Sequence, residues 1–134
     1  MKLQILKLLK NHVQDLSETL KLLTTLNRLK ISENLNQHAK EIGSKILVNC
    51  ASNEYFNAIN LNSLLLRVIT PIFMERKNGK EKIISFYAKN ARGAMARFII
   101  QNRLKSEEDI KKFDLDGYSY SAEKSDEGKL VFIR

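Results

Sequence analysis

Scarce residues set the first limits on this chain of 134 residues, which has one cysteine, one proline and no long apolar run. Because a single thiol, Cys50, cannot form an internal disulfide, nothing in the sequence depends on an oxidising compartment. No apolar segment approaches the length that spans a bilayer, and the first residues lack the cleavage site of a signal peptide. The sequence therefore predicts a cytoplasmic protein that is not inserted in a membrane.

The motifs of familiar enzyme classes are missing as well. There is no glycine-rich phosphate loop, no nucleophile elbow and no paired-cysteine motif. The two histidines, His12 and His38, lack the spacing of metal ligands. The residues by themselves indicate no catalytic group, no metal and no cofactor, and they favour a protein that is not an enzyme.

Positive charge is concentrated in one segment. The net charge is +8, and residues 76–105 alone contain nine basic residues and a single acid, Glu81. The residues before this segment carry a small positive balance and those after it a small negative one, so these two contributions cancel. A compact cationic segment attracts polyanions and releases their counterions on binding. Nucleic acid is therefore a candidate partner, with an acidic protein or an anionic membrane surface as alternatives.

Helices are predicted for the first third of the chain. Apolar residues at steps of three and four run from Leu6 to Leu23, which predicts helix over residues 3 to about 29. Ser32 is expected to cap a further helix that ends at Gly43. Residues 1–44 would thus form a helical leader, and residues 45–134 the rest of one compact unit.

Strands and a basic helix are predicted for the remainder. Residues 45–49 indicate a buried strand, and a short helix after Ser52 should bury Tyr55, Phe56 and Ile59. Residues 64–74 and 82–87 are expected to pair antiparallel through the hairpin turn Asn78-Gly79, with Pro71 at an edge position or in the first part of its strand. A basic amphipathic helix follows over residues 88–104, then a short helix over 106–113 and strands over 118–122 and 129–133. The predicted class is α+β in a single domain.

The basic helix supplies the first candidate site. At 100° per residue, Lys89, Arg92 and Arg103 fall within about 60° of one another, and Arg97 lies about 80° from Lys89. Such a face could follow a phosphate backbone, because Arg offers bidentate contacts and Lys a point charge. Lys80 and Lys82 at the hairpin could extend it. The alternative is a solvated face whose cations only keep the domain soluble.

A polar cluster after the first buried strand supplies the alternative site. It consists of Asn49, Ser52, Glu54 and Tyr55, placed where α/β proteins often bind ligands. One interpretation is a catalytic or metabolite-binding loop, with Lys89 and Arg92 holding an anionic substrate. The other is structural, with Ser52 capping the short helix and Asn49 satisfying buried backbone groups.

Two segments, LVNCASNEYF at residues 47–56 and SFYAKNARGAMAR at residues 85–97, resemble the signature stretches of the YaaA-like peroxide stress protein family. The family usually reads N-L-A-S-x-E-Y in the first and A-K-K-A-R-G-x-M in the second. Here Cys50 replaces a leucine and Asn90 replaces a lysine. The resemblance covers about residues 45–134 and extends to Phe113, Gly117-Tyr118 and Leu130-Val131-Phe132.

Members of that family are about twice as long and contain S-P-A-K-T and R-I-L-S-G-L-Y-G-like segments that are absent here. We therefore expect this chain to resemble the C-terminal half of such a protein, truncated, split or internally deleted. The resemblance implies a cytoplasmic bacterial protein of the response to hydrogen peroxide that limits free iron and damage to DNA. It also implies DNA binding, which transfers here only to the cationic helix. An enzyme or metabolite-binding site, or a non-functional remnant, are the alternatives.

Overall fold

The computed structural model describes the backbone of residues 3–5 and 18–134 and the side chains from residue 26. Within these residues the fold is α+β, as predicted. The helices are α1 (Glu18–Ile42), α2 (Asn53–Phe56), α3 (Ser85–Gln101) and α4 (Glu107–Ile110). The strands are β1 (Leu3–Ile5), β2 (Ile46–Val48), β3 (Arg67–Lys77), β4 (Lys80–Lys82), β5 (Ser119–Asp126) and β6 (Lys129–Ile133).

The strands form one mixed sheet around β3. Their order is β1-β2-β3-β6-β5, and β4 pairs with the end of β3. The neighbours β1–β2, β2–β3 and β3–β6 are parallel, whereas β5–β6 and β3–β4 are antiparallel. The predicted hairpin is confirmed: Asn78 and Gly79 join β3 to β4 at φ of 52° and 72°, which a two-residue turn of this kind requires.

Alternation along the strands gives the sheet two unequal apolar faces. Odd-numbered residues of β3, such as Ile69 and Phe73, lie in a large core with the buried side of α3. Leu47 of β2 and the half-buried Val68 of β3 lie in a second, smaller cluster with α1 and residues 56–66. The larger core contains a set of edge-packed rings, with Phe73 and Phe113 centroids 5.7 Å apart. Such rings bury large apolar areas and favour tilted geometry, so this face dominates the packing.

The first part of the chain departs from the prediction. Residues 3–5 form a strand rather than a helix, and residues 6–17 lie outside the described residues. From Glu18 the chain is helical without interruption to Ile42, so Ser32 does not begin a helix. Its hydroxyl is fully buried and can donate its one hydrogen to the carbonyl of Arg28 or to that of Asn60, whose oxygens lie 3.1 and 3.0 Å away. Ser32 therefore forms a contact between α1 and the loop at Asn60. Local sequence cannot distinguish this role from that of a helix cap.

The residues after the hairpin also differ from the prediction, and Pro71 takes one of its two predicted placements. It lies in the first half of β3, aligned with Leu130 of β6, and not at an edge. Proline has no N–H to donate, so it fits a strand only where no ladder hydrogen bond is needed. The nitrogen of Pro71 faces the side of β2, and β2 ends at Val48, with Asn49 donating to the carbonyl of Ile69. The strand predicted over residues 82–87 ends at Lys82, and α3 begins at Ser85, three residues before the predicted start.

Helix and strand predictions in the second half are otherwise confirmed. On α3 the expected core residues Ala88, Ala91, Met95 and Ile99 are buried, and Phe98 is half-buried. Ser106 caps α4 by accepting the amide of Asp109 at 3.2 Å. After α2, Ile59 is buried and Phe56 half-buried as expected, but Tyr55 is exposed.

Candidate nucleic-acid interface

The outer side of α3 carries the first candidate site. Lys89 and Arg97 are exposed there, about 12 Å apart along the axis at 1.5 Å per residue. Lys80 and Lys82 are also exposed on β4, and only two residues separate Lys82 from the start of α3. Three chain steps span at most about 11 Å. The hairpin lysines therefore lie near the beginning of the helix.

These cations have no carboxylate partner in the part of the chain that the structure describes. The one acid within residues 76–105, Glu81, is held by Arg76 at 2.6 Å and by Lys124 at 3.2 Å. Of the acids after residue 106, Glu107 pairs with Arg67 and Asp109 with Lys112, and none of the ion pairs among the described residues joins one of these acids to a cation of residues 76–105. The acidic end of the chain thus leaves the following cations without an ion pair among the described residues: Lys80, Lys82, Lys89, Arg92, Arg97 and Arg103.

Two of the predicted cations leave the common helical face. Because α3 ends at Gln101, Arg103 lies beyond it, with φ of 50°, and the angle assigned to it on a continuous helix does not apply. Arg92 is half-buried rather than exposed. Burial raises the pKa of the Cys50 thiol to about 12, and the nearby charge of Arg92 acts against that rise. Arg92 therefore lies beside the polar loop that follows β2.

The four candidate residues of the polar loop differ in exposure and in the bonds that they make. Asn49 is buried and supports the backbone: its amide oxygen accepts the N–H of Ala51 at 3.1 Å, and its amide nitrogen lies 3.4 Å from the Thr70 hydroxyl. Glu54 and Tyr55 are exposed on α2. Ser52 occupies the position before α2 but makes no side-chain cap.

Ser52 is the unusual member of the loop. Its hydroxyl oxygen is buried and has no hydrogen-bond partner among the described residues. A buried hydroxyl without a partner costs about 1–3 kcal/mol, and such groups call for an explanation such as a ligand or an ordered water. Cys50 belongs to this loop, and the positive charge of Arg92 acts on it. A small anion is therefore a chemically suitable ligand for the Ser52 hydroxyl.

A second polar cluster was missed by the sequence analysis. The Glu75 carboxylate accepts from the Tyr118 hydroxyl and from Nε of Arg134, the latter at 2.8 Å. The Arg134 guanidinium lies between two rings, 4.8 Å from the centroids of Tyr87 and Tyr118. The cluster joins α3 to β3 and β6. No local signal could have revealed it, because its members come from separate elements.

Electrostatics in this cluster favour the ionised carboxylate. Burial alone would raise the pKa of Glu75, but the hydrogen bonds from Arg134 and Tyr118 outweigh burial and lower the pKa below its ordinary value of 4.5. Burial, followed by the bond to Glu75, raises the pKa of Tyr118 well above its ordinary value. An open groove of about 370 Å³ adjoins the cluster and is lined in part by Arg76, Ser119 and Arg134.

Within the described part of the chain, no three His, Cys, Asp or Glu side chains stand close enough together to hold a metal ion. None of its helices combines the length and apolar character needed to cross a membrane. His12 lies outside the described residues.

Comparison with known proteins gives one consistent result. The family model described as peroxide stress protein YaaA matches residues 7–124. The UPF0246 protein of Ruegeria pomeroyi is 54% identical over 105 residues, and that of Roseobacter denitrificans 56% over 106. The UPF0246 protein of Hahella chejuensis is 49% identical over 104 residues. Each match covers 78% of this chain and 41% of the relative, so the chain spans about two fifths of the length of these relatives.

Proposed function

Because the chain belongs to the family of peroxide stress protein YaaA, we propose that it serves the bacterial response to hydrogen peroxide by contacting DNA through α3 and the β3–β4 hairpin. The role that the family resemblance implies is to limit free iron and damage to DNA in the cytoplasm. The contribution of this chain within that role is contact with phosphates, without reading of base sequence. The residues proposed for it are Lys80, Lys82, Lys89, Arg92, Arg97 and Arg103.

One observation supports DNA contact above the others. Exposed cations of α3 and the hairpin follow one another in a single stretch of chain without a carboxylate partner among the described residues, and the one acid of that stretch, Glu81, is already held by Arg76 and Lys124. An unpaired Lys or Arg can neutralise a phosphate and release the cations condensed on the DNA, and this release drives non-specific binding. A paired cation gains less, because its carboxylate must be separated from it first.

The proposal is tested by DNA affinity measured over a range of salt concentrations. The logarithm of the binding constant should fall linearly with the logarithm of salt, with a slope of about −0.9 per phosphate contacted. In the double variant Lys89→Ala/Arg97→Ala, two contacts are lost. The slope should then become shallower by about 1.8, with equal weakening for unrelated duplex sequences.

A matched variant controls for the loss of net charge. Lys111→Ala/Lys112→Ala removes the same two charges, but both side chains are paired with acids of α4, at 2.6 and 2.8 Å. This variant should keep the slope of the unmodified chain. If the two double variants weakened binding equally, net charge and not the α3 face would govern DNA contact. If neither changed the slope, the assignment would be wrong.

A second function, the binding of a small anion or metabolite by the polar loop, is favoured by the buried Ser52 hydroxyl without a described partner. The charge of Arg92, on α3, acts on Cys50 of this loop and could attract the anion. Inorganic phosphate should then raise the melting temperature of the chain. Arg92→Ala should abolish that rise, while Lys89→Ala/Arg97→Ala should preserve it. A melting temperature that is indifferent to phosphate would count against this site.

A further inference from the structure

Three apolar side chains stand exposed where β4 leads into α3. Ile83 is 57% exposed, Phe86 68% and Tyr87 42%. Ile83 directly follows the last residue of β4, and Phe86 and Tyr87 lie in the first turn of α3. A single exposed apolar residue is ordinary, but a contiguous group of them often marks a binding surface. We call these three residues the apolar tip.

The apolar tip shares one stripe of α3 with cations proposed to contact DNA. Four exposed residues of the helix fall within about 80° of one another at 100° per residue: Phe86, Lys89, Gly93 and Arg97. Side chains three residues apart on a helix are neighbours, so Lys89 lies next to Phe86. On the other side, Lys82 directly precedes Ile83. The exposed ring is therefore flanked by positive charge.

Phe86 is supported from behind by the polar cluster of Glu75, Tyr118 and Arg134. Its ring packs edge-to-face with that of Tyr87, with centroids 5.6 Å apart and planes at 70°. The Arg134 guanidinium lies 4.8 Å from the Tyr87 centroid, and Nε of Arg134 donates to Glu75 at 2.8 Å. A side chain that is already held in place loses little entropy on binding. These contacts give Phe86 a fixed support on β3 and the end of β6.

We infer that Phe86 inserts between two stacked bases of the DNA that α3 contacts. The inference rests on the proposed DNA contact and adds a side chain that reaches past the phosphates to the bases. Every base has a π-face on which an aromatic ring can stack, so the insertion needs no particular sequence. Phenylalanine is among the side chains that DNA-bending proteins insert as wedges between base steps. The neighbouring cations position the DNA through its phosphates.

Two features of the stripe favour DNA over an anionic membrane. A helix that lies on a membrane keeps its apolar and charged residues on opposite faces, whereas here Phe86 shares a face with Lys89 and Arg97. The stripe also contains Gly93, and a Cβ added there would have no atom within 4 Å. Glycine is typical of positions where a backbone approaches a ligand closely, and a phosphate backbone can use that space.

The test uses a short duplex containing aminopurine, a base analogue whose fluorescence rises when it loses a stacking neighbour. Binding of the unmodified chain should raise this fluorescence. A duplex with a fluorophore at each end should also report a bend of about 20–90° by energy transfer. In Phe86→Ala both signals should be lost. The slope of affinity against salt should stay that of the unmodified chain, because no cation has been removed.

Two further variants control for the loss of an apolar side chain. Ile100→Ala removes an exposed side chain from the far end of α3, about 21 Å from Phe86 at 1.5 Å per residue, and should keep both signals. Phe86→Leu keeps an apolar wedge and should retain the bend. All three variants should melt as the unmodified chain does, because the replaced side chains are exposed.

The outcomes separate this inference from the proposed DNA contact. If the chain binds DNA with the expected salt slope but gives neither signal, or if Phe86→Ala keeps both signals, the inference is wrong and the DNA contact stands. If Phe86→Ala weakens binding to phosphatidylglycerol vesicles and leaves the DNA signals unchanged, the apolar tip belongs to a membrane-surface site instead. If the unmodified chain does not bind DNA at all, both proposals fail.

Discussion

Two regions of the molecule use the same basic residue types in opposite ways. Where β3, β5 and β6 meet, Arg76 and Lys124 share Glu81, and Arg134 is bound by Glu75. On α3, Lys89 and Arg97 are exposed and have no carboxylate partner among the described residues. The paired cations tie separate elements together, whereas the α3 cations contribute charge to the surface. Net charge alone therefore says little about function until the partners of each cation are known.

The largest effect on stability is expected in the region where the cations are paired with carboxylates. Glu75→Gln removes the charge that holds Arg134 and accepts the Tyr118 hydroxyl. Because hydrogen bonds to a charged group contribute about 1.5–3 kcal/mol each and glutamine retains part of this bonding, the free energy of unfolding at pH 7 should fall by about 1–3 kcal/mol. Urea denaturation of both chains measures the difference.

The same variant predicts a defined dependence on pH. The pKa of Glu75 is lowered on folding from 4.5, so its contribution to stability is complete above that value and is lost as pH falls through the lowered pKa. The difference between the unmodified chain and Glu75→Gln should therefore shrink below about pH 4.5. Glu108→Gln is the control: Glu108 is exposed and paired only with Lys111, so its loss should cost less than about 0.5 kcal/mol. Parallel pH profiles would contradict the role given to Glu75.

A smaller effect, of opposite sign, is expected in the middle of α3. Gly93 is exposed, and a Cβ added there would have no atom within 4 Å. Since glycine inside a helix costs about 0.5–1 kcal/mol relative to alanine, Gly93→Ala should raise the free energy of unfolding by about that amount. A loss of stability would contradict this prediction, because it would mean that a methyl group does not fit at position 93. Weaker DNA binding by the more stable variant would indicate that DNA approaches α3 closely at Gly93.

The smallest effect on stability is expected from the α3 cations themselves. Lys89→Gln/Arg97→Gln should change the free energy of unfolding by less than about 0.5 kcal/mol, because exposed side chains without partners contribute little to the fold. Thermal and urea denaturation of the double variant measure this change. A large loss of stability would remove the contrast between the two regions, since it would mean that these cations also support the fold.

Some elements of the fold could be predicted from the sequence, and others could not. The hairpin at Asn78-Gly79, the cap at Ser106 and the buried side of α3 were predicted correctly, because each is specified by residues that are close along the chain. Ser32 was misread, since a serine can cap its own helix or form hydrogen bonds with a distant loop. The Glu75–Tyr118–Arg134 cluster was not predicted at all, because 43 residues separate Glu75 from Tyr118.

The candidate sites show the same division. Sequence spacing correctly grouped Lys89 and Arg97 on the exposed side of one helix. It also grouped Arg103, which lies beyond the end of α3, and Arg92, which is half-buried beside Cys50. The loop from Asn49 to Tyr55 was identified as polar, but only tertiary packing separates the buried Asn49 and the Ser52 hydroxyl from the exposed Glu54 and Tyr55.

By itself the sequence determined the α+β class, the family, the hairpin and the position of the excess positive charge, since local preference and charge order are written along the chain. Tertiary structure alone decided the parallel order β1-β2-β3-β6 and which cations are neutralised by acids among the described residues. Those features depend on which distant segments meet, and pairing across the sheet is set by the total burial of apolar surface rather than by any short stretch of residues.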